Sequence, residues 1–530
     1  MSKQNRRGAF IAFAAVAGVV SGLVFLAAAE LSALLVARDA SPLLAVGSFV
    51  IDVVPQPVKE FAISTFGEFD KVALLIGLGL AVVIASAAAG VLQLVRPPLG
   101  ATALGIAGAA SVAATTTRAG VTPLAFLPSV LGAVAGIAAL VLLCRRLRTW
   151  QRAAAIPDSD AGGDDGADGA ADGVSVDRRR FFALAGIAGA SALVVGITSR
   201  VVSATSSSVA AIRKGLRLPP ARTSVTIPDG AELDIPGISP LFTPNADFYR
   251  VDTALTVPTV DPASWRLVID GMVDKRVELS FDELVEMGLD EYAITLTCVS
   301  NVVGGDLVGN AMWLGVPIRD VLRLAGPQTD ADMVLSRSVD GYTASTPLSA
   351  LTDAGRDAIL AVGMNGQPLP LEHGFPVRMV VPGLYGYVSA TKWVTELKVT
   401  TFEKDEAYWT PRGYSAQAPI KFSSRIDTPK IGKSVAAGRI PIAGVAWAQT
   451  VGIEAVEVRI DDGDWQRATL STPISTDTWV QWMLEWDATH GTHYVTVRAI
   501  NKNGEMQIQE SAPIAPDGST GWQRSLIAVS

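Results

Sequence analysis

The chain has 530 residues, 49% hydrophobic and 18% charged, with a formal net charge of −8. Its mean hydropathy is +0.35; a soluble globular chain carries about 25% charge, so part of this one is solvated by lipid. Two cysteines, three histidines and the lack of a long basic run exclude a disulfide scaffold, zinc and iron–sulfur clusters, multi-histidine metal chemistry and a nucleic-acid partner.

The apolar excess lies in residues 1–203. Runs at 9–36, 72–95, 100–117, 124–144 and 181–203 each approach the ~20 residues that cross hydrocarbon. The third, rich in Gly, Ala and Thr, suits close helix packing more than lipid contact. Lys3, Arg6 and Arg7 place the N-terminus inside; Arg96, Arg145, Arg146, Arg148 and Arg152 agree, and the acidic stretch 38–70 falls outside. Residues 1–150 therefore read as a four-helix transmembrane region. Residues 151–178 form an acidic linker, with seven Asp and neither Lys nor Arg between 153 and 177, predicted to be disordered. Arg178, Arg179 and Arg180 precede Phe181, Phe182 and a modest apolar run. This fifth span, 179–204, resembles an internal twin-arginine export signal; a positively charged stop-transfer flank is the other reading. The count of spans puts the remainder outside the cytoplasm, as a multi-pass protein of the cell membrane.

Residues 220–415 change character. Val/Ile/Thr-rich runs such as WRLVIDG and YAITLTC alternate with Gly/Pro turns and short helical pieces, which predicts a β-rich α+β domain. In one such piece Ser280 and Glu283 have capping-box spacing. Residues 416–530 read almost entirely as strands, with Asp462-Gly463 and Asn503-Gly504 as hairpin turns. About seven short strands in this length predict an immunoglobulin-like sandwich. His490 and His493 are read as turn and strand residues. The fold class is thus multi-domain: an α-helical transmembrane bundle, a β-rich α+β domain and an immunoglobulin-like β-sandwich.

The chemistry concentrates in two segments. In TLTCVSN, Cys298 ends a strand and enters a Gly/Asn-rich loop containing Asn301; an inert buried cysteine is the bland alternative. In LPLEHGFPVRMVVPG, the turn GFP can aim His373 and Arg378 at one anion, and Lys392 in TKW could add a third positive group.

These segments, together with MWLGVPIRDVL, resemble the signatures of the sulfite oxidase family of molybdopterin oxidoreductases, and the resemblance runs over about 225–530 into the sandwich. It implies molybdopterin as cofactor, Cys298 as thiolate ligand of molybdenum, and His373, Arg378, Lys392, Tyr249 and Asn301 as cofactor-binding residues, the first three as fixed cations or donors. It further implies Arg250 beside the metal, Tyr414 as the active-site tyrosine and Arg412 as a nearby positive group. The implied activity is two-electron oxygen-atom transfer on a small sulfur-containing or related substrate. The same cofactor run reductively on an S- or N-oxide, and a non-enzymatic envelope binding protein, are the alternatives. Where animal members have Arg-Asn-His, this chain has Arg250, Val251 and Asp252, which makes the anion site less positive. The first 372 residues contain no histidine and there is no CxxCH, so electrons are expected to pass through a separate carrier, a cytochrome or quinone-linked protein. The sandwich could support a homodimer.

Overall fold

The computed structural model describes residues 3–36, 70–116, 124–153 and 204–530, with isolated positions between them. The acidic linker, the fifth span and the 38–70 loop lie outside the described residues, apart from those isolated positions. The chain divides into two compact units, 1–205 and 206–530.

In the first unit four helices, α1 (Lys3–Val36), α2 (Asp70–Val95), α3 (Leu99–Thr116) and α4 (Leu127–Ala153), are long and apolar enough to cross a membrane. They pack through small residues, because lipid supplies no hydrophobic drive between helices and close van der Waals contact must do so. A Cβ on Gly18 would lie 2.0 Å from the Ser86 carbonyl, and one on Gly90 would lie 2.0 Å from that of Ala14. Ser111 and Ser129 hydrogen-bond at 2.9 Å between α3 and α4. The small residues of α3 do face its neighbours: Gly100, Gly108, Ser111 and Ala114 are buried.

The second unit opens with α5 (Ala204–Gly215). Ten strands follow: β1 (Arg266–Gly271), β2 (Val277–Ser280), β3 (Asp290–Thr297), β4 (Val308–Pro317), β5 (Met333–Ser338), β6 (Thr343–Pro347), β7 (Ile359–Met364), β8 (Gln367–Pro368), β9 (Arg378–Val380) and β10 (Val394–Thr400). One sheet runs β2-β1-β10-β5-β6, with β1 and β10 parallel; the other runs β3-β4-β7-β8, with β9 on β7. Helix α6 (Phe281–Glu286) carries the predicted capping box, Ser280 and Glu283 bonding reciprocally. Trp265, Leu267, Leu322, Leu360 and Leu397 fill the core between the sheets.

Eight further strands, β11 (Ser423–Thr428), β12 (Gly438–Trp447), β13 (Ile453–Ile460), β14 (Gln466–Arg467), β15 (Thr469–Leu470), β16 (Val480–Ala488), β17 (Gly491–Asn501) and β18 (Gln523–Val529), form two four-stranded sheets, β11-β12-β16-β15 and β14-β13-β17-β18. Their apolar faces close on Ile442, Val456, Trp482 and Val497. The sandwich also buttresses β3. Thr295 donates its N–H to the Asp477 carbonyl at 2.9 Å, its hydroxyl accepts from Trp479 N–H at 2.8 Å, and its carbonyl accepts from Gln449 at 3.2 Å. The strand that delivers Cys298 is thereby held from both sides.

Candidate active site

Cys298 follows the last residue of β3, after five buried positions in a row. Its N–H donates to the Leu307 carbonyl at 2.9 Å, and the Asn301 N–H returns to the Cys298 carbonyl at 3.0 Å. Asn301 Oδ1 accepts from Leu307 N–H at 2.9 Å, and Ser519 donates to the Asn301 carbonyl at 2.6 Å. Asn301 therefore shapes the loop that carries the sulfur. Cys298 is 8% exposed. Burial pushes its thiol pKa up, while hydrogen bonds from Ser300 and the nearby charge of Lys392 act the other way. Tyr249, Tyr342 and Tyr385 lie within electrostatic reach of this sulfur, and burial raises the pKa of each phenol.

The GFP turn works by close approach. Gly374 has φ 111°, and a Cβ there would meet the Arg378 Cβ at 2.9 Å and the Lys392 Cβ at 3.1 Å; only glycine lets the three segments converge. Arg378, on β9, is buried, and its guanidinium reaches only carbonyls: Met379 at 3.3 Å, His373 at 3.2 Å and Ala390 at 3.4 Å. It lies 5.1 Å over the Trp313 ring, whose indole N–H is fixed on the Ile294 carbonyl at 3.0 Å. Among the described residues no carboxylate pairs with Arg378, and burial lowers its pKa to about 10. A buried cation without a counter-ion is costly and marks a place for an anion.

His373 corrects one expectation. It is 2% exposed, and burial, reinforced by Lys392 and Arg378, lowers its pKa to about 4. The ring is neutral at pH 7, so it is not the fixed cation expected from sequence. Its Nε2 is 3.0 Å from the Asn245 carbonyl and must donate there. Nδ1, buried and without a partner among the described residues, is then an acceptor.

Lys392 is buried but already engaged: Nζ donates to Asp252 Oδ2 and to the Glu372 carbonyl, each at 3.0 Å. Burial lowers its pKa to about 8. Arg250 is also committed to Asp252, through Nε at 2.9 Å and Nη2 at 3.4 Å. Tyr249 stacks on Phe248, centroids 5.2 Å apart, and lies within electrostatic reach of both Cys298 and Arg378. Tyr414 is buried in an aromatic cluster with Tyr387 at 5.5 Å and Trp409 at 5.2 Å. Arg412 lies 3.8 Å over Tyr408 and hydrogen-bonds its carbonyl. The structure thus gathers Cys298, Tyr249, Arg378, His373, Lys392, Arg250 and Asn301. Tyr414 and Arg412 sit in a neighbouring aromatic layer that shares Tyr342 and Tyr408, centroids 5.6 Å apart. Sequence reasoning missed Tyr342 and Tyr385, which no short motif marks, and gave no role to the Ser300 side chain, although it lies within TLTCVSN.

Among the described residues no three His, Cys, Asp or Glu side chains cluster to hold a metal, so a metal here must arrive with ligands of its own. An uncompensated buried guanidinium, an unpartnered imidazole acceptor and a buried thiol suit a group bringing an anion, ring N–H donors and a thiophilic metal. Molybdopterin has all three.

Comparison with known proteins agrees. Residues 254–409 match the model for "Oxidoreductase molybdopterin binding domain" and residues 423–497 that for "Bacterial Ig domain". The chain is 31% identical to mitochondrial sulfite oxidase of Homo sapiens over 320 residues, 51% of this chain and 58% of that protein. It is 28% identical to sulfite oxidase of Arabidopsis thaliana over 55% of this chain and 89% of that one. Against the NADH nitrate reductase of Spinacia oleracea it is 30% identical over 29% of this chain and 19% of that one. It spans less than two thirds of the human protein's length. On these matches, residues 254–409 resemble a molybdopterin-binding oxidoreductase domain, and the chain is similar to sulfite oxidases over about half of its length.

Proposed function

We propose that this chain is a membrane-anchored, extracytoplasmic enzyme that carries out two-electron oxygen-atom transfer on a small sulfur-containing substrate. The observation that carries the reading is Arg378, a buried guanidinium that meets three carbonyls and, among the described residues, no carboxylate, in a sheet that also carries a buried thiol at the end of β3. The four apolar helices support the anchor, and the arginines flanking them support a catalytic portion outside the cytoplasm.

In this reading Cys298 holds molybdenum as the thiolate, since metal binding deprotonates a thiol that burial otherwise keeps neutral. When bound, the cofactor supplies the two-electron couple and the oxygen-atom exchange. Arg378 would hold the pterin phosphate, and His373 Nδ1 would accept from a ring N–H. Lys392 and Asn301 keep the walls of the cradle in place. Arg250 faces the substrate, while Tyr414 and Arg412 support the exchanged oxygen from the aromatic layer. For an oxidation, water supplies the oxygen, and two protons and two electrons leave; a separate cytochrome or quinone-linked carrier takes the electrons.

The test is molybdenum content of the purified full chain, with activity on sulfite plus an artificial acceptor and on a sulfoxide plus reduced viologen. About one molybdenum per chain is expected, and Cys298→Ser should lose the activity while remaining folded. Folded wild-type protein free of molybdenum, or full activity in the serine variant, would overturn the assignment.

A further inference from the structure

Arg250, Asp252 and Lys392 form a charge triad that oxygen-atom transfer does not by itself require. Asp252 Oδ2 accepts from Lys392 Nζ at 3.0 Å and from Arg250 Nε at 2.9 Å, and Oδ1 lies 3.4 Å from Arg250 Nη2. The Asp252 side chain is 7% exposed, that of Lys392 9% and that of Arg250 35%. Lys392 converges with Arg378 on Gly374, which puts the triad against the segment that carries the buried guanidinium, and its charge acts on the Cys298 sulfur.

The charge balance is the first consequence. Arg250, Lys392 and Arg378 supply three cations to this region, and a carboxylate tied to two of them cancels one. The second consequence is geometric. A guanidinium grips a planar oxyanion with two parallel N–H groups, and the Nε–Nη2 edge of Arg250 is already closed on Asp252. An incoming dianion must break that pair or settle beside a fixed negative charge where water screens poorly. An uncharged molecule meets neither obstacle. It can still use the remaining Arg250 N–H groups as donors to a polar oxygen.

We propose that Asp252 is a specificity-determining residue: an internal anion that reserves the site for sulfur compounds without net negative charge, thioethers or sulfoxides, and disfavours oxyanions such as sulfite. The substrate class rests on the oxygen-transfer reading above; the exclusion of anions rests on the triad alone.

The experiment uses full-length, cofactor-loaded protein in detergent, with sulfate as a calorimetric probe and with sulfite, dimethyl sulfide and dimethyl sulfoxide as substrates. For the wild type, kcat/KM for the uncharged pair should exceed that for sulfite by about tenfold or more. In Asp252→Asn the sulfate Kd and the sulfite KM should each fall about tenfold, with the dimethyl sulfoxide KM within about threefold of wild type; Asp252→Glu, which keeps the charge, should behave as wild type. Equal sulfate affinity in wild type and Asp252→Asn overturns the proposal, as does a wild-type preference for sulfite, a result that stands even if the variant fails to fold. If no substrate turns over yet Asp252→Asn binds sulfate tenfold more tightly, the reaction class fails and the anion gate survives.

Discussion

In the sandwich, Arg425 is buried with Nε 2.7 Å from Asp427 Oδ1, and Arg498 lies 2.6 Å from Glu457. In the preceding domain Arg378 is buried as deeply and meets only carbonyls. The first pattern is a finished structure, in which each desolvated cation has its counter-ion in the same chain. The second is unfinished, and we assign its remaining partner to a ligand. This contrast separates a domain that only folds from one that folds around something, although both are built from mostly antiparallel strands on an apolar core.

Exchanging either arginine should therefore fail in opposite ways. Arg425→Gln strands Asp427, whose other oxygen already takes the Ser239 N–H at 2.9 Å. Loss of one partner of a buried pair costs about 3–5 kcal/mol. It should lower the midpoint of thermal unfolding, with molybdenum per folded molecule unchanged. Arg378→Gln leaves no carboxylate behind, so folding should persist while molybdenum per chain falls about tenfold or more, the weight of one charge-assisted phosphate contact. Metal analysis and differential scanning calorimetry on the same two preparations would break the contrast if both variants lost stability equally. Gly374→Ala is a smaller perturbation of the unfinished side. A Cβ at φ 111° and 2.9 Å from the Arg378 Cβ should cost about 2–4 kcal/mol of strain and overlap. It should reduce cofactor content and lower the unfolding temperature of the 206–530 unit.

How much of this was legible depends on whether a feature is carried by neighbours in sequence or only by the fold. TLTCVSN and HGFP are local: a strand end with a cysteine and a glycine turn before a strand, and both stand where the sequence puts them, in the sheet β3-β4-β7-β8 and its attached β9. The hairpin and capping signals are local too. The neutrality of His373 is not local, because it comes from burial against Phe248 and from two cations elsewhere in the chain. Nor is the triad: Lys392 and Asp252 are 140 positions apart, and the sequence records Asp252 only as a missing positive charge. Tyr342 and Tyr385 come within electrostatic reach of the sulfur from a turn after β5 and a loop after β9, and neither residue has a motif of its own. The sandwich has eight strands where seven were expected, because β14 and β15 are two residues each, too short to leave a period.

Where sandwich and catalytic domain meet, the contrast between finished and unfinished charge is put to work on pH. Asp477 is 8% exposed, and among the described residues no cation forms an ion pair with it. Burial, then the nearby charge of Asp357, raises its pKa to about 6, against a hydrogen bond from Thr450 N–H and the attraction of Arg356. Its native pKa thus lies above the ordinary carboxyl value of about 3.9. Below that value both native and unfolded chains hold the proton and no penalty arises. Between about 3.9 and 6 the native state binds more protons than the unfolded one, so stability falls as pH rises, and above pH 6 the penalty is complete. Two units correspond to about 2–3 kcal/mol, which relaxation and incomplete burial reduce to about 1–2. Asp477→Asn keeps an oxygen to accept from Thr450 N–H, now 3.1 Å away, and removes the titration. The variant should therefore unfold at a higher temperature than wild type at pH 8 and at the same temperature near pH 4. Because Asp477 also holds β3 through its carbonyl, the transition affected should be that of the whole 206–530 unit. A difference independent of pH would mean that Asp477 is ionised throughout, and that the interface contains a counter-charge which geometry does not reveal.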